Sequence, residues 1–112
     1  MSRPIEFETI LINNCSFDAT ARIPESGAIL IAQASGTDAS DGNWTGIRVT
    51  VTNLDTGATQ SLSARSDSAK VELPVVVKEE GRYRVQAVQS NFRETCESTS
   101  VAGRTLVRGF FD

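Results

Sequence analysis

The side chains that most often carry enzyme chemistry are scarce in this sequence. It contains no histidine, two lysines and one tyrosine. The absence of histidine excludes Ser-His-Asp and Cys-His catalysis and the usual histidine-containing zinc sites. The neighbouring carboxylates Glu79 and Glu80 precede Gly81 in a turn-like stretch, where solvated charge is expected. We therefore expect a protein that is not an enzyme, with no catalytic residue and no cofactor.

A cation site is the next chemistry to consider. Asp38, Asp41 and Asn43 share one loop, and their oxygen atoms are the ligands that calcium prefers. Their spacing differs from that of an EF-hand loop, and acidic loops are common on soluble proteins. The favoured interpretation is a solvated loop, so no metal site is predicted.

The two cysteines, Cys15 and Cys96, cannot form a disulfide framework or a four-cysteine zinc site. They could form one bridge that closes a long loop, or remain as two half-buried thiols that behave as small apolar side chains. Free thiols are the favoured interpretation, because nothing else in the sequence indicates an oxidising compartment.

Charge and hydropathy narrow the range of partners. The net charge is −3, and no clustered basic face is evident, so nucleic acid is not an expected partner. No apolar run approaches the roughly 20 residues that span a membrane, so no membrane insertion is expected. The first residues lack the basic start and apolar core of a secretory signal. We therefore expect that the chain is made in the cytoplasm, or that it is a fragment whose signal sequence has been removed.

Alternation of apolar and polar residues is the dominant pattern, and it predicts β-strands. It is clearest from Val71 to Val77 and from Tyr83 to Ala87, and no window of ten residues carries a helical apolar stripe. The length of 112 residues fits one domain over positions 1–112. The residues predicted to be buried between two sheets are Trp44, Val49, Val51, Leu73, Val75, Tyr83 and Val85. Truncating Leu73 to alanine is expected to cost about 2–5 kcal/mol if that placement is right.

Residues 26–101 resemble an immunoglobulin-like domain of bacterial or bacteriophage type, in the broad sense that includes fibronectin type III modules. Segment 26–32 resembles strand B, Trp44 with 47–52 resembles strand C, 71–77 resembles strand E, and 81–87 resembles the turn and strand F. The resemblance implies an all-β fold, an immunoglobulin-like antiparallel β-sandwich of about seven to nine strands.

Four residues test this resemblance. Tyr83 occupies the position of a tyrosine-corner residue, but Val85 stands where an antibody-type domain has its second cysteine. Neither Cys15 nor Cys96 falls at the usual cysteine positions. If they pair, the resemblance implies a bridge between the first and last strands.

The two ends of the chain are more apolar than such a sandwich needs. Residues 5–12 and 104–111 are strand-like, and two interpretations remain open. The segments either complete the sheets of the domain or join those of a neighbouring subunit. The residues predicted to form an assembly interface are Phe7, Ile10, Leu106, Val107, Phe110 and Phe111. On the second interpretation, a chain cut after Gly103 should fold but no longer assemble.

A short sandwich with adhesive ends and no catalytic machinery favours a structural subunit of a larger assembly. Its partners would be other protein subunits, including copies of itself. The expected setting is a bacteriophage virion, as a capsid decoration or a tail or neck component, made in the host cytoplasm. The alternative is an immunoglobulin-like recognition or adhesion module of a cell-surface or secreted protein, binding a glycan or protein through its loops.

Overall fold

The computed structural model describes residues 2–36, 44–91 and 95–107. These residues form eight strands in two antiparallel sheets, with the strand orders β1-β2-β7-β4-β5 and β6-β3-β8. The strands are β1 (Phe7–Asn13), β2 (Ser16–Ile23), β3 (Ala28–Gly36), β4 (Thr45–Asn53), β5 (Thr59–Ser66), β6 (Lys70–Val77), β7 (Gly81–Asn91) and β8 (Cys96–Thr105). The predicted all-β antiparallel sandwich is confirmed, and the number of strands falls in the predicted range. No helix of the described residues is long and apolar enough to cross a membrane.

The alternating side chains meet between the two sheets, because successive residues of a strand point to opposite faces. Leu30 of β3, Val75 of β6 and Val85 of β7 are the centre of this core, each at most 1% exposed. Tyr83 is also buried, and its hydroxyl donates a hydrogen bond to the Glu79 carbonyl at 2.8 Å, as a tyrosine corner does. Among the seven predicted core residues, Val49, Val51, Val75, Tyr83 and Val85 are buried.

Leu73 and Trp44 depart from the predicted core. Leu73 faces the core from β6, but β6 is an edge strand and leaves the side chain half-buried. The Trp44 ring lies over Gly46 on the opposite, outer face of its sheet, where a Cβ on Gly46 would stand 3.5 Å from the ring. The Arg65 guanidinium stacks on this ring at 4.4 Å from its centroid. Trp44 is therefore half-buried on the outer surface of the sheet, and the prediction that it lies in the core is wrong.

The central strands pair as the immunoglobulin resemblance implies, and the terminal strands do not. β3 pairs with β6 in one sheet and β4 pairs with β7 in the other. In an immunoglobulin domain the strand that precedes β3, here β2, would then pair with β3, and the last strand, here β8, would pair with β7. Here the last strand, β8, pairs with β3, and β2 pairs with β7. Relative to an immunoglobulin domain, β2 and β8 have therefore exchanged their partner strands. The resulting strand order is that of a jelly roll.

The described residues near both ends of the chain are built into the sheets through this exchange. The Ile5 N–H donates to the Gly103 carbonyl and the Thr105 N–H donates to the Arg3 carbonyl, each at 2.8 Å. Leu106 is buried, and its N–H donates to the Gly27 carbonyl at 2.9 Å. A chain cut after Gly103 would lose these contacts. We therefore expect that truncation to destabilise the domain, which corrects the expectation of an independently folded core.

Candidate association surface on strand β1

The turn between β1 and β2 is fastened to the other sheet by a disulfide. Cys15 in the turn and Cys96 at the start of β8 are bonded, with their Cα atoms 5.2 Å apart. The prediction of free thiols is therefore wrong. The physical reason is the strand exchange, which places the first turn of the chain beside the beginning of the last strand. The bond joins residues 81 positions apart and ties one sheet to the other.

Hydrogen bonds fix the same turn. The Gln89 N–H donates to the Cys15 carbonyl at 2.8 Å, and the Thr99 hydroxyl donates to the Asn14 carbonyl at 3.0 Å. The Gln89 side-chain amide in turn donates to the Thr99 Oγ1 at 3.1 Å. Gln89 and Thr99 are both buried, and in the described part of the chain every buried side-chain N or O atom has a partner. The hairpin is thus held in one position before any partner arrives.

Strand β1 changes character along its length. Its first residue, Phe7, packs edge-on against Phe17, with ring centroids 5.2 Å apart. A bulge between Glu8 and Leu11 then shifts the register, and Thr9 in it has a φ of 52°. Such a φ is rare for a β-branched residue, and a bulge re-aims the residues that follow it.

From the end of the bulge onward, three consecutive aliphatic side chains, one in the bulge and two in the paired strand after it, lie in solvent. Ile10 is 47%, Leu11 68% and Ile12 60% exposed. β1 is the edge of its five-stranded sheet, so no described strand pairs with its outer side. We call residues 10–12 of β1 the apolar edge. The opposite edge of the same sheet, β5, is different, because its sequence TQSLSARS is mostly polar.

The backbone of the apolar edge is also available for pairing. Asn13 and Ser16 pair across the two-residue turn, so their backbone groups bond to each other. Orientation alternates along an antiparallel strand, so the N–H and C=O of Ile12 point away from β2. An edge with free backbone groups and apolar side chains is a template for another strand.

The charged residue opposite Leu11 already has a partner. Leu11 pairs with Asp18 on β2, and the Asp18 carboxylate accepts two hydrogen bonds from the Arg84 guanidinium, at 3.0 and 2.6 Å. These bonds hold the pKa of Asp18 below its usual range. The carboxylate therefore stays ionised and paired, and it presents little free charge to a partner.

The predicted interface residues fall into three groups. Phe7 and Leu106 pack within the domain, and Ile10 and Val107 are exposed. Phe110 and Phe111 lie outside the described residues, as does the loop of Asp38, Asp41 and Asn43. Leu11 and Ile12, which belong to the predicted apolar segment 5–12, are exposed as well. Their exposure could be anticipated from the sequence, because successive side chains of a strand point to opposite faces and three consecutive apolar residues cannot all face one core.

A shallow groove crosses the outer face of the three-stranded sheet. Its volume is about 380 Å³, and its polar lining residues are Gln33, Ser35, Lys70, Glu72, Ser98 and Ser100. The Gln33 amide donates to Glu72 at 2.8 Å, and the Ser35 and Ser98 hydroxyls bond to each other at 2.8 Å. The groove thus offers hydroxyl, amide, carboxylate and ammonium groups side by side.

Similarity to known proteins is found among solved structures and not among sequences. No protein-family model and no curated protein sequence matches the chain. Among solved structures, murine APRIL is similar at 10% identity and a TM-score of 0.47, over 94% of this chain and 98% of that one. The VP2 subviral particle of infectious bursal disease virus is similar at 11% identity and a TM-score of 0.44, over 91% of this chain and 32% of that one. TmCBM61, solved in complex with β-1,4-galactotriose, is similar at 12% identity and a TM-score of 0.40, over 93% and 83%.

Proposed function

We propose that this chain is a non-enzymatic structural subunit of a larger protein assembly, and that the apolar edge of β1 is one of its contacts. The observation that carries this proposal is the exposure of Ile10, Leu11 and Ile12 on an unpaired edge strand. Natural proteins usually protect a sheet edge with charge, proline or a covering segment. Residues 10–12 contain no charge and no proline, so a covering strand from a partner is the natural complement.

The energetics favour association at this edge. Full burial of a leucine or isoleucine side chain contributes about 1.5–3 kcal/mol, and between 47% and 68% of the surface of each of these three residues is still available. Backbone hydrogen bonds to an added strand would satisfy the free groups of Ile12 and set the register. The fastened hairpin turn lowers the entropy cost, because the edge is already ordered.

We place the assembly in a virion, with a bacteriophage capsid decoration or tail or neck component as the favoured setting. The disulfide supports an oxidising location, because such bonds persist on virion and cell surfaces and are rare in the cytosol. A chain made in the cytoplasm would then close this bond after it leaves the reducing compartment. The same reasoning applies to the alternative location at a cell surface.

The polar groove favours a second candidate function, a recognition module for a glycan. Its hydroxyl, amide and charged groups are those that hydrogen-bond to sugar hydroxyls. The exposed edge of β1 has no role in that function. Saturable oligosaccharide binding lost in Glu72→Ala, with the same binding unchanged in Leu11→Lys, would favour this candidate.

The substitution Leu11→Lys tests the assembly proposal. In the native source, the wild-type chain is expected in a complex far larger than its own 12.1 kDa, and the variant is expected in a smaller complex or as a free chain. A lysine here places an ammonium group in the middle of the contact, where it would be desolvated without a partner. Native mass spectrometry and electron microscopy of the source material measure the complex and show whether it is a virion.

Leu54→Lys is the matched control. Leu54 is 47% exposed in the turn after β4, far from the first turn of the chain, so its substitution should leave the complex intact. Wild-type protein that is monomeric in its native source would contradict the proposal. So would a complex that tolerates lysine at position 11 as well as at position 54.

A further inference from the structure

The partner that fits the apolar edge is a second copy of the same edge. We propose that two copies pair through β1 in antiparallel orientation, about a two-fold axis at Leu11, so that their five-stranded sheets join into one sheet of ten strands. This inference rests on the proposed function and names the partner for the same surface.

The sequence of the edge is self-complementary about Leu11. With the axis there, Leu11 lies opposite Leu11 of the other copy, and Ile10 lies opposite Ile12. The regular pairing ends one step further out, at the bulge of Thr9 on one strand and at Asn13, the last residue of β1, on the other. Apolar residues therefore face apolar residues, and no like charges meet, which is the condition for favourable cross-strand pairs. An isologous contact of this kind closes on itself as a dimer.

The free backbone groups agree with this register. Hydrogen-bonded and non-hydrogen-bonded pairs alternate along an antiparallel hairpin, and Asn13 and Ser16 form a hydrogen-bonded pair. Leu11 and Asp18, two positions further along, therefore form the next hydrogen-bonded pair, and the backbone N–H and C=O of Leu11 face β2. The N–H and C=O of Ile12 face outward and would bond to Ile10 of the second copy. Leu11 then occupies a non-hydrogen-bonded site, where opposed Cα atoms approach to about 4.5 Å.

The other edge of the sheet is a poorer partner. Pairing β1 with β5 of a second copy would set Ile10, Leu11 and Ile12 against a strand that is mostly serine, threonine and glutamine. Arg65 near the end of β5 is already stacked on Trp44. A β1-to-β5 contact would also be head-to-tail, which builds a ring or an open filament and not a closed dimer.

Cysteine cross-linking tests the register. Two opposed Cα atoms at about 4.5 Å lie within disulfide range. In the full-length purified chain, Leu11→Cys is therefore expected to oxidise to a covalent dimer of twice 12.1 kDa, with Cys15–Cys96 intact in the peptide map. Ile10→Cys should not cross-link, because it faces Ile12, but Ile10→Cys mixed with Ile12→Cys should form the heterodimer. Leu54→Cys is the control for random collision.

Sedimentation of the unmodified wild-type chain completes the test, since it does not depend on any substitution. A dimer that Leu11→Lys converts to monomer supports the two-fold contact. A wild-type chain that sediments as a monomer at high concentration, but remains in a large complex in its source, overturns this inference and leaves the proposed function standing. Cross-linking of Leu11→Cys to Ser63→Cys in β5, in preference to itself, would also overturn it. A monomer in both settings would overturn both proposals.

Discussion

Replacing Cys15 and Cys96 together by serine is expected to lower the free energy of unfolding by about 4 kcal/mol. The reason is the long loop that the bond closes, since the two residues lie 81 positions apart and the lost chain entropy grows with loop length. Removing both sulfur atoms avoids a lone thiol that could pair with another chain. Guanidinium chloride unfolding of the wild type and the double variant measures the difference.

The wild type measured with and without reductant is the matched comparison. The reduced protein should unfold at the lower denaturant concentration of the double variant. Oxidised and reduced protein with the same midpoint would show that the bond is absent or energetically silent. The fastening of the β1–β2 turn would then rest on the hydrogen bonds of Gln89 and Thr99 alone.

Truncating Leu30 to alanine is expected to cost about 2–5 kcal/mol. Leu30 is fully buried near the start of β3, and a Cβ on Gly103 would stand only 2.6 Å from its Cδ2 atom. Because β8 packs this closely against the leucine, the backbone cannot easily collapse into the cavity. Denaturant unfolding with far-ultraviolet circular dichroism measures the loss.

Leu54→Ala provides the surface control for this truncation, since Leu54 is 47% exposed. Its cost is expected to stay within about 0.5 kcal/mol, the usual range for surface positions. Equal costs at positions 30 and 54 would contradict the placement of β3 between β6 and β8. The two-sheet arrangement itself would then be in doubt.

Alternation in the sequence predicted the strands well, because the period of two is a local property. β6 and β7 lie where the runs from Val71 and Tyr83 place them, and the tyrosine-corner hydrogen bond of Tyr83 is present. The partners of the strands are set by contacts across the whole chain. The exchange of strand partners could therefore not be predicted from the sequence, and the Cys15–Cys96 bond, which depends on it, remained one of two alternatives there.

The candidate site was predicted in outline only. Apolar composition identified segment 5–12, but composition could not separate Phe7, which packs on Phe17, from Leu11, which lies in solvent. That division follows from the bulge at Thr9 and from the position of β1 at the edge of its sheet. The same limit explains Trp44, since the space that receives its ring is created by Gly46 and by the pairing of β4 with β7.

The most direct test of the association surface is amide hydrogen exchange at Ile12 in the free chain and in its complex. The Ile12 N–H points away from β2, so it should exchange quickly in the monomer, obtained by dilution or by Leu11→Lys, and become strongly protected when a partner strand is added. The amide of Val85, at the centre of β7, should be protected in both states and serves as the internal reference. Slow exchange at Ile12 in the complex, restored to the fast rate by Leu11→Lys, is the predicted result. Fast exchange at Ile12 in an intact complex would contradict the assignment of β1 as the contact.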